Sequence, residues 1–213
     1  MFTFTDISLF IGASVLLILA PGPDIIFTIT QGISRGRKAG VMTALGLSLG
    51  NSVHTCAAAL GISIIFKTSE IAFMAFKIFG ASYLFYLAWK ALRSRGGQDT
   101  LSTEKEKPAA LPGTGQLILK GFFMNVLNPK VALFFLAFLP QFAKPEAGSV
   151  PLQMLFLGLI FILLVAVIFG FIGFNAGHIG NVLMRNPRVQ RIMDYVCSCV
   201  FIGLALKLII TGR

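Results

Sequence analysis

Charge is what this sequence has least of. Only 12% of its 213 residues are charged, and eight of them are acidic. Soluble domains carry about 25% charged residues, so a water-soluble globular fold is excluded. Alternating polar and apolar positions are missing too, which argues against strands and leaves helices. Phosphate-binding loops of the form Gly-x-x-x-x-Gly-Lys-Ser/Thr do not occur, so nucleotide hydrolysis is not an energy source. An intramembrane enzyme would need His-Glu-x-x-His, paired aspartates, or serine with histidine or lysine at depth. No glutamate lies well inside an apolar run, and His/Cys/Asp/Glu at metal-ligand spacing are not found, so neither metal nor cofactor is expected. The three cysteines, Cys56, Cys197 and Cys199, are odd in number and sit in apolar segments, where they read as small packing residues. The first six residues hold one acid and no base, so a signal peptide is not expected.

What the chain has is long apolar runs. Hydrophobic residues make up 56% of it, and the mean hydropathy is +0.85. Runs at about 7–30, 39–66, 71–92, 116–142, 150–174 and 191–210 are each long enough to cross a ~30 Å hydrocarbon core. The polar stretch 96–115, with Gly96-Gly97, Pro108 and Pro112, is a flexible linker. The expectation is an all-α membrane protein and a single transporter domain. Its six transmembrane helices form two three-helix repeats, 1–92 and 116–213, joined by a linker at 93–115. Local matches support duplication. Ala20-Pro21-Gly22-Pro23-Asp24 in the first helix has a counterpart in Leu127-Asn128-Pro129-Lys130 in the fourth. Leu87-Ala88-Trp89-Lys90-Ala91-Leu92 has one in Leu204-Ala205-Leu206-Lys207-Leu208-Ile209. Three helices per half run the second half through the membrane the opposite way, the inverted-repeat plan of many secondary transporters.

Basic residues set the orientation. Arg35, Arg37, Lys38, Lys90, Arg93, Arg95, Lys105, Lys107, Lys120, Arg185, Arg188 and Arg191 fall on one side, twelve of the 18 in the chain. Lys67, Lys144 and Arg213 fall on the other. The rule that cytoplasmic loops are basic places the twelve inside and both termini outside. It also accounts for the net charge of +10 without a nucleic acid partner.

The chemistry has to come from polar groups at depth. Asp24 and Lys130 are the charges furthest from any expected interface, and each follows a proline that breaks its helix. An aspartate at the centre of a membrane helix costs about 2.5–3.5 kcal/mol, and an interior proline about 3 kcal/mol. A charge beside broken backbone therefore reads as a site. Free amides at the start of a half-helix suit a carboxylate, and free carbonyls with Asp24 suit an ammonium. Lys130 adds a positive pole, so the pair fits a zwitterion such as an amino acid. The competing reading is an internal ion pair that only neutralises both charges.

Other polar residues are weaker signals. Ser48, Asn51, Ser52 and Thr55 form a stripe on the second helix, with His54 about 60° round from it. His54, the one histidine deep in a run, could help relay protons. Asn125 stands one turn before Asn128, where it can satisfy backbone groups freed near Pro129. Asn175 and His178 are expected to cap the fifth helix, and Gln141 after Pro140 to mark the end of the fourth. Gly46-x-x-x-Gly50 and Ala57-x-x-x-Gly61 allow close helix approach within the bundle; a homodimer seam is the alternative use.

Three blocks of the first half resemble the LysE/RhtB family of amino-acid exporters. They are Leu19-Ala20-Pro21-Gly22-Pro23-Asp24 with Gly36-Arg37-Lys38-Ala39-Gly40, then Ala44-Leu45-Gly46 through Gly50-Asn51-Ser52-Val53-His54, then Gly80-Ala81-Ser82-Tyr83-Leu84-Phe85-Tyr86-Leu87. Two more lie in the second half, Asn125-Val126-Leu127-Asn128-Pro129-Lys130 and Phe138-Leu139-Pro140-Gln141-Phe142. The resemblance spans essentially the whole chain. It implies a bacterial inner-membrane secondary exporter of amino acids or close derivatives, driven by the proton motive force. The expected substrate-binding residues are Pro21, Gly22, Pro23, Asp24, Asn51, Asn125, Asn128, Pro129 and Lys130, with Asp24 and His54 coupling protons. Reading Asp24 as the only acid in the spans favours a neutral amino acid such as homoserine, threonine or leucine. A small-solute channel and a non-transporting scaffold are the alternatives; a scaffold has no need of Asp24 and Lys130 at depth.

Overall fold

The computed structural model describes residues 2–20, 22–68, 70–93 and 113–210, and these are helical throughout with short connections. The nine α-helices among them are α1 (Phe4–Leu19), α2 (Pro23–Arg35), α3 (Arg37–Thr68), α4 (Glu70–Arg93), α5 (Thr114–Val126), α6 (Pro129–Phe138), α7 (Val150–Phe174), α8 (Ala176–Arg185) and α9 (Pro187–Ile210). Two 3₁₀ turns, Leu139–Phe142 and Pro145–Ala147, join α6 to α7. Pro21 and most of the linker, 94–112, lie outside the described residues.

Among the described residues α7 and α9 are each long and apolar enough to cross a membrane, and the number is up to four if each of two bent pairs counts as one span. Those pairs are α1 with α2, bent by 60°, and α5 with α6 and its 3₁₀ turn, bent by 61°. Local chemistry explains both bends. α1 runs out at Leu19, and α2 restarts with Pro23 in its first turn, where a missing N–H costs nothing. Asn128 precedes Pro129 and is held extended (φ −78°, ψ 106°), as a residue before proline should be. Its side chain accepts the Lys130 N–H at 3.0 Å and caps α6.

α3 is the central post and packs mainly on α5 and α7, while α4 packs on α9. Small residues set these distances, as close packing in lipid requires. A Cβ on Gly46 would come within 2.1 Å of the Ile118 carbonyl, so α3 and α5 touch backbone to backbone. Gly40 and Gly173 meet as closely between α3 and α7. Ala57 and Gly61 differ. Both are exposed, and nothing lies within 4 Å of a Cβ built on Gly61, so this second motif takes no part in the bundle.

Aromatic rings fill the bundle around α6. Phe134 stacks on Phe138 with centroids 4.5 Å apart, and Phe10 of α1 stacks on Phe138 at 5.3 Å. Of the cysteines only Cys197 is buried; Cys56 and Cys199 face outward and do not pack inside as expected.

The last third departs from the sequence expectation. The sixth helix begins at Pro187, not 191, and the basic stretch before it contains α8. α8 is short and two-faced, so its polar residues read as a loop in sequence. Its Ala176 and Gly180 sit against Gly32 and against Ile29 and Ile33 of α2. Asn175 does cap α7, donating to the Phe171 carbonyl at 3.0 Å, but His178 is exposed on α8.

Candidate functional site

The two bends lie side by side. Asp24, in the first turn of α2, is buried, and each of its carboxylate oxygens accepts from an asparagine. Asn125 Nδ2 of α5 donates to Oδ2 at 2.9 Å, and Asn128 Nδ2 donates to Oδ1 at 2.9 Å. Asn128 thus works in two directions at once, as its own Oδ1 caps α6. A carboxylate in the first turn of a helix lies at the favourable end of the helix dipole.

Lys130 has the opposite relation to its helix. It carries a cation in the first turn of α6, where the dipole is unfavourable. Its ammonium lies against Gly22, since a Cβ built there would be 3.1 Å from Lys130 Nζ. It is within Coulombic range of Asp24 and also of Asp194. Asp194 is buried in α9, four residues before Ser198, whose hydroxyl donates to the Ala88 carbonyl of α4. The reading of Asp24 as the only acid in the spans is therefore wrong. In sequence Asp194 looks interfacial because Arg191 stands three residues before it. In the packed bundle it is inside.

The polar stripe of α3 is mostly spent on backbone. Ser48 donates to the Ile162 carbonyl of α7, Ser52 to Leu49 and Thr55 to Asn51, so these three are structural. Asn51 is different. Its Nδ2 donates to Leu47, but its buried Oδ1 has no hydrogen-bond partner among the described residues. His54 Nε2 lies 3.1 Å from the Asn125 carbonyl. A carbonyl only accepts, so Nε2 carries the hydrogen in that contact. That carbonyl also accepts the Asn128 N–H at 3.0 Å, so the imidazole adds a second bond where α5 ends.

One cavity collects most of the residues expected to act. Gly22, Pro23, Asp24, Asn51, Asn125, Asn128 and Lys130 all line it, with Leu17, Ile18, Leu87 and several aromatic residues completing the wall. Its volume is about 50 Å³, on a scale where one water needs about 10–15 Å³. That is room for a small molecule. Pro129 opens α6 between Asn128 and Lys130, Pro21 lies outside the described residues, and His54 stands behind Asn125. Among the described residues no group of three or more His, Cys, Asp and Glu could hold a metal ion.

Interrupted helices that meet beside a buried charge are a plan on which many membrane transporters are built. Comparison with known proteins gives the family. A model of the LysE type translocator family matches residues 15–212. The chain belongs to this family. The translocator is similar to a leucine efflux protein of Klebsiella pneumoniae, 26% identical over 92% of this chain and 90% of that one. It is similar to a homoserine/homoserine lactone efflux protein of Salmonella typhimurium, 33% identical over 68% of each chain. An uncharacterized membrane protein of Bacillus subtilis, YrhP, is 28% identical over 93% of this chain and 95% of that one. No solved structure matches the chain.

Proposed function

We propose that this translocator exports amino acids across a bacterial inner membrane, driven by the proton motive force. The observation that carries the reading is the cavity where Asp24, amide-held, and Lys130 face each other across the two helix breaks. One negative and one positive group within a small enclosure match an amino-acid zwitterion. Family membership and the efflux activity named for two relatives support export of this class of solute. The substrate's ammonium meets Asp24 and the vacant Asn51 Oδ1. Its carboxylate meets Lys130 and the free amides at the start of α2. Proton coupling runs through Asp24, whose charge changes as substrate arrives and leaves, with His54 as a helper.

Six spans in two inverted halves, with both termini outside and the linker inside, complete the proposal. The shared bend geometry of 60° and 61° supports the duplication. The ion pair of Asp6 with Lys144 supports one side for the N-terminus and the connection after α6.

The test is counterflow in proteoliposomes, followed by an efflux screen in cells preloaded with individual amino acids. A carrier exchanges labelled for unlabelled substrate and a channel does not. No exchange of any amino acid overturns the proposal. For orientation, a reporter active only outside the cell is fused after Arg213 and in the linker. Activity of the linker fusion alone overturns the assigned sides.

A further inference from the structure

Beyond its charged end, the cavity has a wall of one chemical kind. Among the described lining residues the polar side chains are Asp24, Asn51, Asn125, Asn128 and Lys130. The rest of the side-chain surface is aliphatic or aromatic. Phe161, Val165 and Phe169 lie at four-residue spacing on α7 and form one stripe facing the cavity, with Phe134 of α6 and Phe201 of α9 beside them. Lys130 and Phe134 are also four residues apart on one face of α6. The wall therefore changes from ionic to aromatic within one helical turn, about 5–6 Å. That is the scale on which an amino acid passes from its charged groups to its side chain.

We propose that this wall selects amino acids with apolar side chains, and that Phe161 and Val165 are specificity-determining residues. The inference rests on the export reading above and adds the substrate class. It does not depend on counting acids in the spans, the argument that Asp194 removes. With the zwitterion held at Asp24 and Lys130, the side chain points at rings that offer no hydrogen bond. A hydroxyl there loses its water and gains no partner, which costs discrimination of about tenfold or more. A cationic tail could lie over an aromatic face, but here it would sit within about one turn of Lys130, a like charge. The wall is also fixed in place. Phe161 meets Phe135 edge-on at 5.0 Å and lies 6.2 Å from Phe134, which is itself stacked on Phe138. It cannot turn aside to admit a polar tail without breaking this cluster.

The experiment is counterflow by the full chain in proteoliposomes with labelled leucine, threonine, lysine and glutamate. Leucine is expected to exchange at least tenfold faster than threonine, and lysine and glutamate not to exchange. Threonine or lysine exchanging as fast as leucine overturns the selectivity and leaves amino-acid export standing. No exchange of any of the four, or of the remaining amino acids, removes export and this inference together. Two variants test the residues. Val165→Thr and Phe161→Tyr each add a hydroxyl to the wall, and each is expected to raise the threonine-to-leucine ratio severalfold. A purely structural role would lower both rates and leave the ratio alone. An unmoved ratio in both variants overturns the role assigned to the wall.

Discussion

The two helix breaks are built on one plan and do different jobs. Each has a capping residue, then proline, then a charge: Gly22-Pro23-Asp24 at the start of α2, and Asn128-Pro129-Lys130 at the start of α6. The bends are nearly equal, 60° and 61°. The caps differ. Asn128 uses its carbonyl on its own helix and its amide on Asp24 of the other. Gly22 has no side chain, and that gap is where the Lys130 ammonium lies. The charges differ as well, since Asp24 suits its helix dipole and Lys130 opposes its own. One break is therefore self-consistent, and the other is held in place by its neighbour. The lesson is that the second break bears the cost of the site and is the more sensitive place to perturb it.

The largest effects are expected from the charges themselves. Asp24→Asn and Lys130→Met should each abolish amino-acid exchange. Lys130→Met leaves the buried Asp24 without its counter-charge, at about 3–5 kcal/mol, and Asp24→Asn takes from Lys130 one of the two acids in its Coulombic range. Asp24→Asn also sets an amide donor where Asn125 and Asn128 both donate, so one of them must turn away. The double variant restores neutrality. If the two residues only balance each other, it should recover folding and much of the exchange. If they contact substrate or protons, it should insert normally and stay inactive, which is the outcome expected here. Restored exchange in the double variant sinks the site assignment.

The caps come next and break the likeness directly. Asn128→Ala removes an N-cap, about 1 kcal/mol, and one of the two amides on Asp24, a bond to a charged group of about 1.5–3 kcal/mol. The terms overlap, so a loss of roughly 2–3 kcal/mol in detergent-solubilised stability is expected. Gly22→Ala should be mild. Its φ of −171° is extended backbone open to any residue. The added Cβ meets only the far end of the flexible Lys130 chain at 3.1 Å. Equal damage from both substitutions, read by thermal unfolding and by exchange, contradicts the asymmetry argued here.

Much of this comparison was legible before any coordinates. Proline next to a buried charge names a broken helix and a reason for it, so Asp24 and Lys130 stand out, and Asn125 and Asn128 follow from their spacing. Three things were not legible. That Asn128 and Asn125 each take one oxygen of Asp24 depends on how α5 and α6 sit against α2, which no local pattern encodes. Asp194 looks interfacial by its distance from Arg191, and only the packed bundle shows it to be interior. α8 is too short and too polar to announce itself, because its helical face is completed by α2. The serines and threonine of α3 failed in the other direction. They look like a lining and are mostly tied to nearby carbonyls.

A smaller effect should separate the two candidate proton carriers. His54 meets the second bent pair through the Asn125 carbonyl and the Phe135 ring, whereas Asp24 sits on the cavity wall. Glutamine at position 54 can still donate one hydrogen bond to that carbonyl. In proteoliposomes with an imposed proton gradient, His54→Gln should retain part of the driven accumulation, and Asp24→Asn should retain none. Complete loss in His54→Gln with driven transport kept in Asp24→Asn reverses the roles.

The smallest effect expected lies where the outer ends of the two bent pairs meet. Asp6 precedes the apolar run of α1, and Lys144 follows the 3₁₀ turn that ends the second pair; their side chains are 2.6 Å apart. Asp6 also accepts from the Thr3 backbone and hydroxyl in a capping box. The bond from Lys144, and then those from Thr3, hold the Asp6 carboxyl well below the usual carboxylate range. A carboxyl acid-strengthened by folding adds stability that is present above its unfolded pKa, about 3.9. That contribution is lost as pH falls towards the folded value. Exposed ion pairs contribute little and are screened by salt. Wild type should thus show a small, salt-sensitive fall in detergent-solubilised melting temperature as the pH is taken from 6 down through about 4 to about 2, most of it below 4. Asp6→Asn should start slightly lower at pH 6 and lack that part of the fall. If the contact instead locks the outer side shut, Asp6→Asn should change the exchange rate at pH 6 while the melting temperature barely moves. Identical melting profiles and exchange rates in the two proteins mean that the pair joining the broken helices does nothing measurable, and that their likeness ends at the cavity.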